Sequence, residues 1–226
     1  MKWQSEGFLL GKRKFRENAS IIDVFTNDFG KVSGIVYGGN SRKIRNFLQI
    51  GNRIFLFYNS KNESKIGYFK TELVEPISPK YFSDSKRTSA ILSLSSILQS
   101  LLPESQPNKK IYNSINEFIK NIDTPNWPLL YIYLELNIIK ELGFNPNLIE
   151  FKNQSKNLKE INDFNIDGVL YKIPKYLIEN ILPDNVDNDI IRKSLIFTRS
   201  IILNKFYLPN NLIFPKSRII FENYYN

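Results

Sequence analysis

The chain contains no cysteine and no histidine. Disulfide bonds and zinc–thiolate sites are therefore excluded, as are hydrolase triads in which an imidazole is the general base. No apolar run approaches the roughly 20 residues needed to cross a bilayer. The N-terminal segment has Lys12, Arg13, Lys14 and Arg16 where a signal peptide would be apolar. We therefore expect a cytoplasmic protein that has no membrane partner.

Sequence motifs for nucleotide and metal chemistry are also missing. The chain has no GxxxxGK[ST] loop, so we do not expect the protein to use ATP. Asp184, Asp187 and Asp189 lie close together but lack the glycine and glutamate of a calcium loop, so we interpret Asp187 or Asn188 as the cap of a following helix. Asp163 and Asp167 are expected on a solvated loop. We therefore expect no metal, no cofactor and no catalysed reaction.

Positive charge is in excess and unevenly distributed. The 226 residues include 31 Lys and Arg against 22 Asp and Glu, a formal net charge of +9. Residues 1–75 hold 13 basic and 7 acidic residues, a net +6, and the rest of the chain holds +3. A basic N-terminal third attracts polyanions by releasing their counterions, although many basic proteins bind no nucleic acid.

Short segments rich in β-branched and aromatic residues dominate the first 75 residues, and turn-forming residues separate them. Five strands are predicted: Gly7–Lys14, Ala19–Thr26, Lys31–Tyr37, Arg53–Tyr58 and Ile66–Glu72. Five strands without a long helix between them predict a small closed barrel, either an OB-fold or an SH3-like barrel.

The hydrophobic period becomes helical after Pro79. We predict a helix capped within Ser83-Asp84-Ser85 and ending before Pro103, a second from Pro107, and an apolar third from Pro125 to Gly143. Residues 144–173 are polar and predicted irregular, with a hairpin around Asp167 and Gly168. Helices are expected again after Pro174 and from Asp187 to about Tyr207. The sequence thus predicts an α+β protein, with a barrel domain at 1–78 and a helical domain at 79–226.

Basic and aromatic residues are interleaved in the barrel segment. Cations follow the phosphates of single-stranded nucleic acid, and flat rings stack on its bases. Phe47 is also interpreted as a core residue, and short basic runs are often only solvated. The candidate DNA-binding residues are Lys12, Arg13, Lys14, Arg16, Lys31, Tyr37, Arg42, Lys43, Arg45 and Phe47.

The helical segment has apolar ridges edged with cations, which suit a peptide ending in an aromatic residue and a carboxylate. The candidate partner-binding residues are Arg192, Lys193, Arg199, Lys216 and Arg218. Two other functions stay open from the residues alone: a metal-dependent enzyme acting on nucleic acid, and an adaptor that binds only proteins.

The order of motifs along the chain resembles the RecO family. The opening GFLLGKRKFRENASIIDVFTNDFGKVSGIVYGGNSRK is similar to the family's opening, with a polar turn at Glu17, the segment Val24–Thr26 and a glycine-led basic loop from Gly38 to Lys43. Leu48-Gln49 resembles the family's LqP, with Ile50 in place of the proline. ELGFNPNL (141–148) is similar to its LGy.P.L segment, and PKSR (215–218) to its closing lkSR.

One departure from the family concerns metal. Many members carry a four-cysteine zinc ribbon where residues 149–173 of this chain have no cysteine. Residues 164–170 (FNIDGVL) still resemble the hairpin of that ribbon, so we infer a ribbon remnant without metal.

The resemblance implies an OB-fold followed by a helical domain, in a nucleoid-associated DNA repair and recombination mediator. Family members bind single- and double-stranded DNA and anneal complementary strands. They act with RecR, and in some cases RecF, to load RecA onto DNA coated by single-strand-binding protein. The C-terminal tail of that protein docks on the helical domain in some members.

Overall fold

The computed structural model of the protein describes residues 1–39, 41–60, 66–154, 158–183 and 185–226, without the side chains of Lys43, Ile149 and Gln154. The chain forms two compact units. Unit 1 comprises Met1–Asn113 with Pro215–Arg218, and unit 2 comprises Ser114–Phe214 with Ile219–Asn226. The division at residue 78 stays a prediction.

Unit 1 contains a closed five-stranded barrel. Its strands are β1 (Lys2–Arg16), β2 (Ala19–Thr26), β3 (Gly30–Tyr37), β4 (Arg53–Asn59) and β5 (Gly67–Glu75). They close in the order β1-β2-β3-β5-β4, with only the β3–β5 pair parallel. A short helix, α1 (Arg42–Phe47), connects β3 to β4. This Greek-key order confirms the OB-fold and excludes the SH3-like alternative.

The barrel interior explains why these segments are strands. Alternate residues of each strand point inward and form one buried apolar cluster, which includes Leu9, Ile22, Val24, Val36, Ile54 and Leu56. Trp3 stacks on Phe29 at 4.1 Å and on Tyr58 at 4.7 Å between ring centroids, which fills one end of the barrel.

Two glycines allow the parallel contact that closes the barrel. Gly34 pairs with Gly67 at this seam. A Cβ atom on Gly34 would lie 2.3 Å from the Phe69 ring, and one on Gly67 would lie 2.3 Å from the Tyr58 ring. Any larger residue at either position would push these rings out of the core.

Two helices follow the barrel in unit 1: α2 (Ile77–Lys80) and α3 (Ser85–Leu101). The carboxylate of Asp84 accepts a hydrogen bond from the backbone N–H of Arg87 at 2.9 Å, which confirms the predicted cap of α3. Gln99 of α3 donates a hydrogen bond from Nε2 to Asp23 Oδ2 of β2 at 2.6 Å. Helix α3 therefore packs directly on the barrel.

The remaining elements are mostly helical. They are α4 (Lys109–Asn121), α5 (Trp127–Glu141), α6 (Leu148–Gln154), β6 (Ile161–Ile166), β7 (Val169–Pro174), α7 (Lys175–Glu179), α8 (Asn188–Ile202), a π-helical turn (Leu203–Tyr207) and α9 (Lys216–Asn223). In unit 2, Thr198 of α8 donates a hydrogen bond to the buried Glu135 carboxylate of α5 at 2.5 Å. The apolar α5 is buried along most of its length, as its sequence predicts.

Predictions for unit 2 are mostly confirmed. Asp187 caps α8 by accepting from the N–H of Ile190 at 2.8 Å, and the hairpin β6–β7 turns at Asp167 and Gly168. The prediction that 144–173 is otherwise irregular is wrong, because α6 occupies part of it. Asp184 lies outside the described residues. None of the described helices combines the length and the apolar character that a membrane span requires.

Candidate nucleic-acid interface

Four segments of the OB-fold meet at one end of the barrel: the end of β1, the start of β2, the end of β3 and α1. Across these strands Arg16 pairs with Ala19, and Ala19 pairs with Tyr37. Lys12 Nζ donates to Gly39 O at 2.9 Å, so the loop that leads into α1 is held against β1. Ser41 begins α1 by accepting a hydrogen bond from the N–H of Ile44.

This end of the barrel carries a cluster of cations that we call the basic rim: Lys12, Lys14, Arg16, Arg42 and Arg45. The last four are exposed, and Lys12 is half-buried. Partial burial and, secondarily, the charge of Arg45 lower the pKa of Lys12. The hydrogen bond from Lys12 to Gly39 brings β1 near the start of α1, so the cations of both elements lie at this end of the barrel, where they attract a polyanion.

Aromatic rings lie beside the basic rim. Tyr37 of β3 stacks on Tyr68 of β5 at a centroid distance of 5.2 Å, and both side chains are exposed. A hydrogen bond with Tyr68 raises the pKa of Tyr37. The guanidinium of Arg16 lies 5.2 Å from the centre of the exposed Phe15 ring. The predicted neighbourhood of cations and flat rings is therefore present for Arg16 and Tyr37.

Three of the predicted DNA-binding residues have other structural roles. Arg13 forms an ion pair with Asp23 at 3.0 Å. The prediction for Lys31 needs correction, since its ammonium is largely buried, donates to Gln99 O at 2.8 Å and pairs with Glu104 at 3.3 Å. Phe47 packs against the barrel core, which favours its core interpretation over a stacking one. The side chain of Lys43 lies outside the described part of the structure.

The predicted partner-binding residues do not form one exposed group. Arg192 is exposed on α8, whereas Lys193 pairs with Asp189 at 2.5 Å and Arg199 with Glu222 at 2.9 Å. Lys216 is exposed at the start of α9. Arg218 is fully buried, so its predicted role on an exposed groove is wrong.

Within the described residues, no group of three or more acidic side chains is arranged to hold a metal ion. The two acidic residues of the hairpin have basic neighbours: Asp163 lies 3.4 Å from Lys172, and Asp167 lies 2.7 Å from Lys205. These carboxylates take part in ion pairs on the hairpin.

Net charge differs sharply between the two units. Unit 1 contains 20 Lys and Arg against 9 Asp and Glu, a net +11, whereas unit 2 contains 11 against 13, a net −2. The positive potential of the chain therefore originates in the unit that contains the barrel.

Sequence reasoning missed Tyr68 and Phe15 as neighbours of the rim. Tyr68 follows Gly67 at the start of β5, and it approaches Tyr37 only through the parallel β3–β5 pairing. A parallel contact between distant strands leaves no local pattern in the sequence. Phe15 could have been identified from the sequence, because it lies directly between Lys14 and Arg16.

Comparison with known protein families identifies both parts of the chain. Residues 1–77 match the family model "Recombination protein O N terminal", and residues 83–181 match "Recombination protein O C terminal". A relative from Wolbachia sp. subsp. Drosophila simulans (strain wRi), named DNA repair protein RecO, is 29% identical over 236 residues, covering 96% of this chain and 98% of the relative.

Other relatives of that name are more similar over a shorter region. The protein from Ehrlichia chaffeensis is 35% identical over 150 residues, covering 66% of this chain and 61% of the relative. One from Cereibacter sphaeroides (strain ATCC 17029 / ATH 2.4.9) is 31% identical over 150 residues, 66% of this chain and 62% of the relative. With both family models matched in order, this chain belongs to the recombination protein O (RecO) family.

Proposed function

We propose that this protein is a DNA repair and recombination mediator that binds single- and double-stranded DNA without catalysing a reaction. It anneals complementary strands and helps to load RecA onto DNA coated by single-strand-binding protein. The observation that carries this proposal is the basic rim of Lys12, Lys14, Arg16, Arg42 and Arg45 on an OB-fold barrel. Family membership agrees with it, since the relatives bear the name of a DNA repair protein.

The mechanism is electrostatic. Phosphates of one strand replace their counterions with the ammonium and guanidinium groups of the rim, and the released ions favour binding. A strand neutralised in this way repels an incoming complementary strand less, because Coulomb repulsion falls with the product of the two charges. Annealing then becomes faster without any covalent step.

The proposed function also requires partner proteins. By family resemblance these are RecR, in some cases RecF, and the C-terminal tail of single-strand-binding protein. Arg192 is exposed on α8, and its guanidinium suits an acidic tail. Unit 1 thus binds DNA, and unit 2 binds the acidic tail of single-strand-binding protein.

A charge-reversal experiment tests the DNA site. The double variant Arg42→Glu/Arg45→Glu should bind a labelled single-stranded oligonucleotide roughly 10- to 100-fold more weakly in fluorescence anisotropy, because two phosphate contacts become repulsive. The matched control is Lys120→Glu/Arg192→Glu, which makes the same charge change at exposed residues of unit 2. Equal losses in both variants, or none in the first, would reject the rim as the site.

An annealing assay tests the mediator role. The wild-type protein should accelerate annealing of complementary strands coated by single-strand-binding protein, more so with RecR, and the rim variant should not. Incubation with labelled DNA and magnesium should leave the strands intact. Cleavage would favour the enzyme alternative, and absence of DNA binding at low salt would favour a protein-only adaptor.

A further inference from the structure

A surface cavity of about 610 Å³ opens on the outside of the barrel where β1, β4 and β5 run side by side. Its walls include Phe57 of β4 and Tyr68 of β5, and Lys2 and Lys70 are also part of its lining. This volume lies within the range of about 300–1,000 Å³ that is usual for small-molecule sites. The cavity is distinct from the rim cations, none of which lines it.

A row of aromatic rings connects this cavity with the basic rim. Tyr37 stacks on Tyr68 at the rim, and Tyr68 and Phe57 line the same cavity. Phe57 in turn packs edge-on against Phe55 at 4.9 Å. Tyr37 is 57% exposed and Tyr68 is 41% exposed, so the rings at the rim end of the row are accessible from solvent.

The charge of the cavity lining is positive. Among the described residues that line it, Lys2 and Lys70 are the ionisable side chains apart from tyrosine, and Lys70 also lies 3.9 Å from Glu72. Lys70 Nζ lies 5.6 Å above the Phe57 ring, so a cation and an aromatic face are offered together. A neighbouring cavity is lined by Glu6 and Asp28 together with Arg53, which gives its described lining a net charge of −1. Of these two cavities, the Phe57–Tyr68 cavity therefore has the described lining that better suits an anionic chain.

We propose that this cavity is a nucleobase-binding site for single-stranded DNA, which deepens the function proposed above and rests on it. Bases of a strand whose phosphates lie on the basic rim stack along Tyr37 and Tyr68 and enter the cavity beside Phe57. Lys2 and Lys70 contact the adjoining phosphates. The side-chain amides of Gln4 and Asn59, which also line the cavity, supply donors and acceptors for base edges.

This assignment makes the barrel selective for unpaired strands. A base within a duplex is stacked on both faces and cannot enter the cavity without being unpaired, which opposes binding. The rim cations contact the phosphates of either form. The aromatic cavity therefore adds affinity only for the single strand, and it releases the base when a complementary strand pairs with it.

The test compares two oligonucleotides of equal length and charge, oligo(dT) and an abasic chain that keeps the phosphates and lacks the bases. The wild type should prefer oligo(dT) by at least about tenfold in fluorescence anisotropy, since stacking contributes roughly 1–3 kcal/mol per base. The variants Phe57→Leu and Tyr68→Leu, which keep apolar volume without a ring, should each reduce that preference at least about fivefold. Their affinity for the abasic chain should not change.

Two controls make the outcomes distinct. Phe82→Leu changes an aromatic residue of unit 1 that is 64% exposed and outside the cavity, and it should retain the full preference. Tyr68→Phe keeps the ring and should also retain it. If the wild type binds both chains equally tightly, the base site is wrong and the phosphate site stands. If it binds neither, the proposed function itself fails.

Discussion

At the scale of single residues, Asp23 shows how a buried carboxylate organises one face of the barrel. Its side chain accepts hydrogen bonds from Ser33 Oγ at 2.7 Å and from Gln99 Nε2 at 2.6 Å, and it pairs with Arg13. Asp23 is 5% exposed, so these partners replace the water that its charge has lost. The same carboxylate therefore joins β1, β2, β3 and α3.

We predict that Asp23→Ala lowers the free energy of unfolding by about 2–4 kcal/mol, because Gln99 and Ser33 lose their acceptor in a buried site. Arg13→Ala should cost less than about 1 kcal/mol, since the Arg13 side chain is 56% exposed and its pair is screened by solvent. Urea unfolding followed by far-UV circular dichroism measures both. Equal losses in the two variants would contradict a role centred on the carboxylate.

Lys31 shows that the burial of a side chain can depend on contacts that the sequence alone does not reveal. A lysine in a basic, β-rich segment is usually exposed to solvent, so the sequence predicts that Lys31 binds DNA. Its burial depends on α3, whose Gln99 carbonyl accepts from it across 68 positions of sequence. Lys14 and Arg16 are exposed, as a contact with DNA requires, and their role in DNA binding stays a prediction.

At the scale of elements, the cysteine-free hairpin β6–β7 has apolar and ionic contacts that connect it to its neighbours. Phe164 of β6 stacks on Phe151 of α6 at 4.3 Å. Lys205 pairs with Asp167 at the turn and lies 4.7 Å from the centre of the Phe144 ring. Tyr171 and Ile173 of β7 are buried. Packing therefore holds the hairpin in place.

Because packing holds the hairpin, we expect a loss of stability when Phe164 is truncated and no effect of a zinc chelator. Phe164→Ala should destabilise it by about 1–3 kcal/mol, seen as faster amide hydrogen exchange in Ile161–Pro174. Leu170→Ala is the matched control in the same hairpin, and it should have little effect because Leu170 is 63% exposed. A zinc chelator should leave the thermal midpoint of the wild type unchanged. A fall in that midpoint would show that metal contributes to the fold.

Elements with a strong periodic pattern were predictable, and short or paired ones were not. Strand β2 lies where β-branched and aromatic residues between turns predict it, and the long helices α3 and α5 lie where the helical period predicts them. Strand β1 begins at Lys2 rather than Gly7, because its first residues are polar and are held by pairing with β4. Helix α1 has six residues and a charged sequence, so tertiary packing of Ile44 and Phe47 on the core determines it.

At the scale of the whole molecule, net charge is separated between the two units. Unit 1 carries a net +11 and unit 2 a net −2, so a polyanion is attracted to the unit that contains the barrel. This separation leaves unit 2 without net attraction for DNA. The candidate site could be placed on the barrel from sequence because this charge asymmetry is already visible in residues 1–75.

Charge separation leads to a prediction about salt. If the five rim cations each contact one phosphate, the logarithm of the affinity for single-stranded DNA should fall against the logarithm of salt concentration with a slope of about −3.5, at about −0.7 per contact. Lys14→Gln/Arg16→Gln should make that slope shallower by about 1.4, whereas Lys120→Gln/Arg192→Gln, with the same loss of charge in unit 2, should leave it unchanged. Anisotropy titrations between about 50 and 200 mM salt measure all three slopes. A slope that depends only on total charge, and not on which unit carries it, would place the DNA elsewhere than on the barrel.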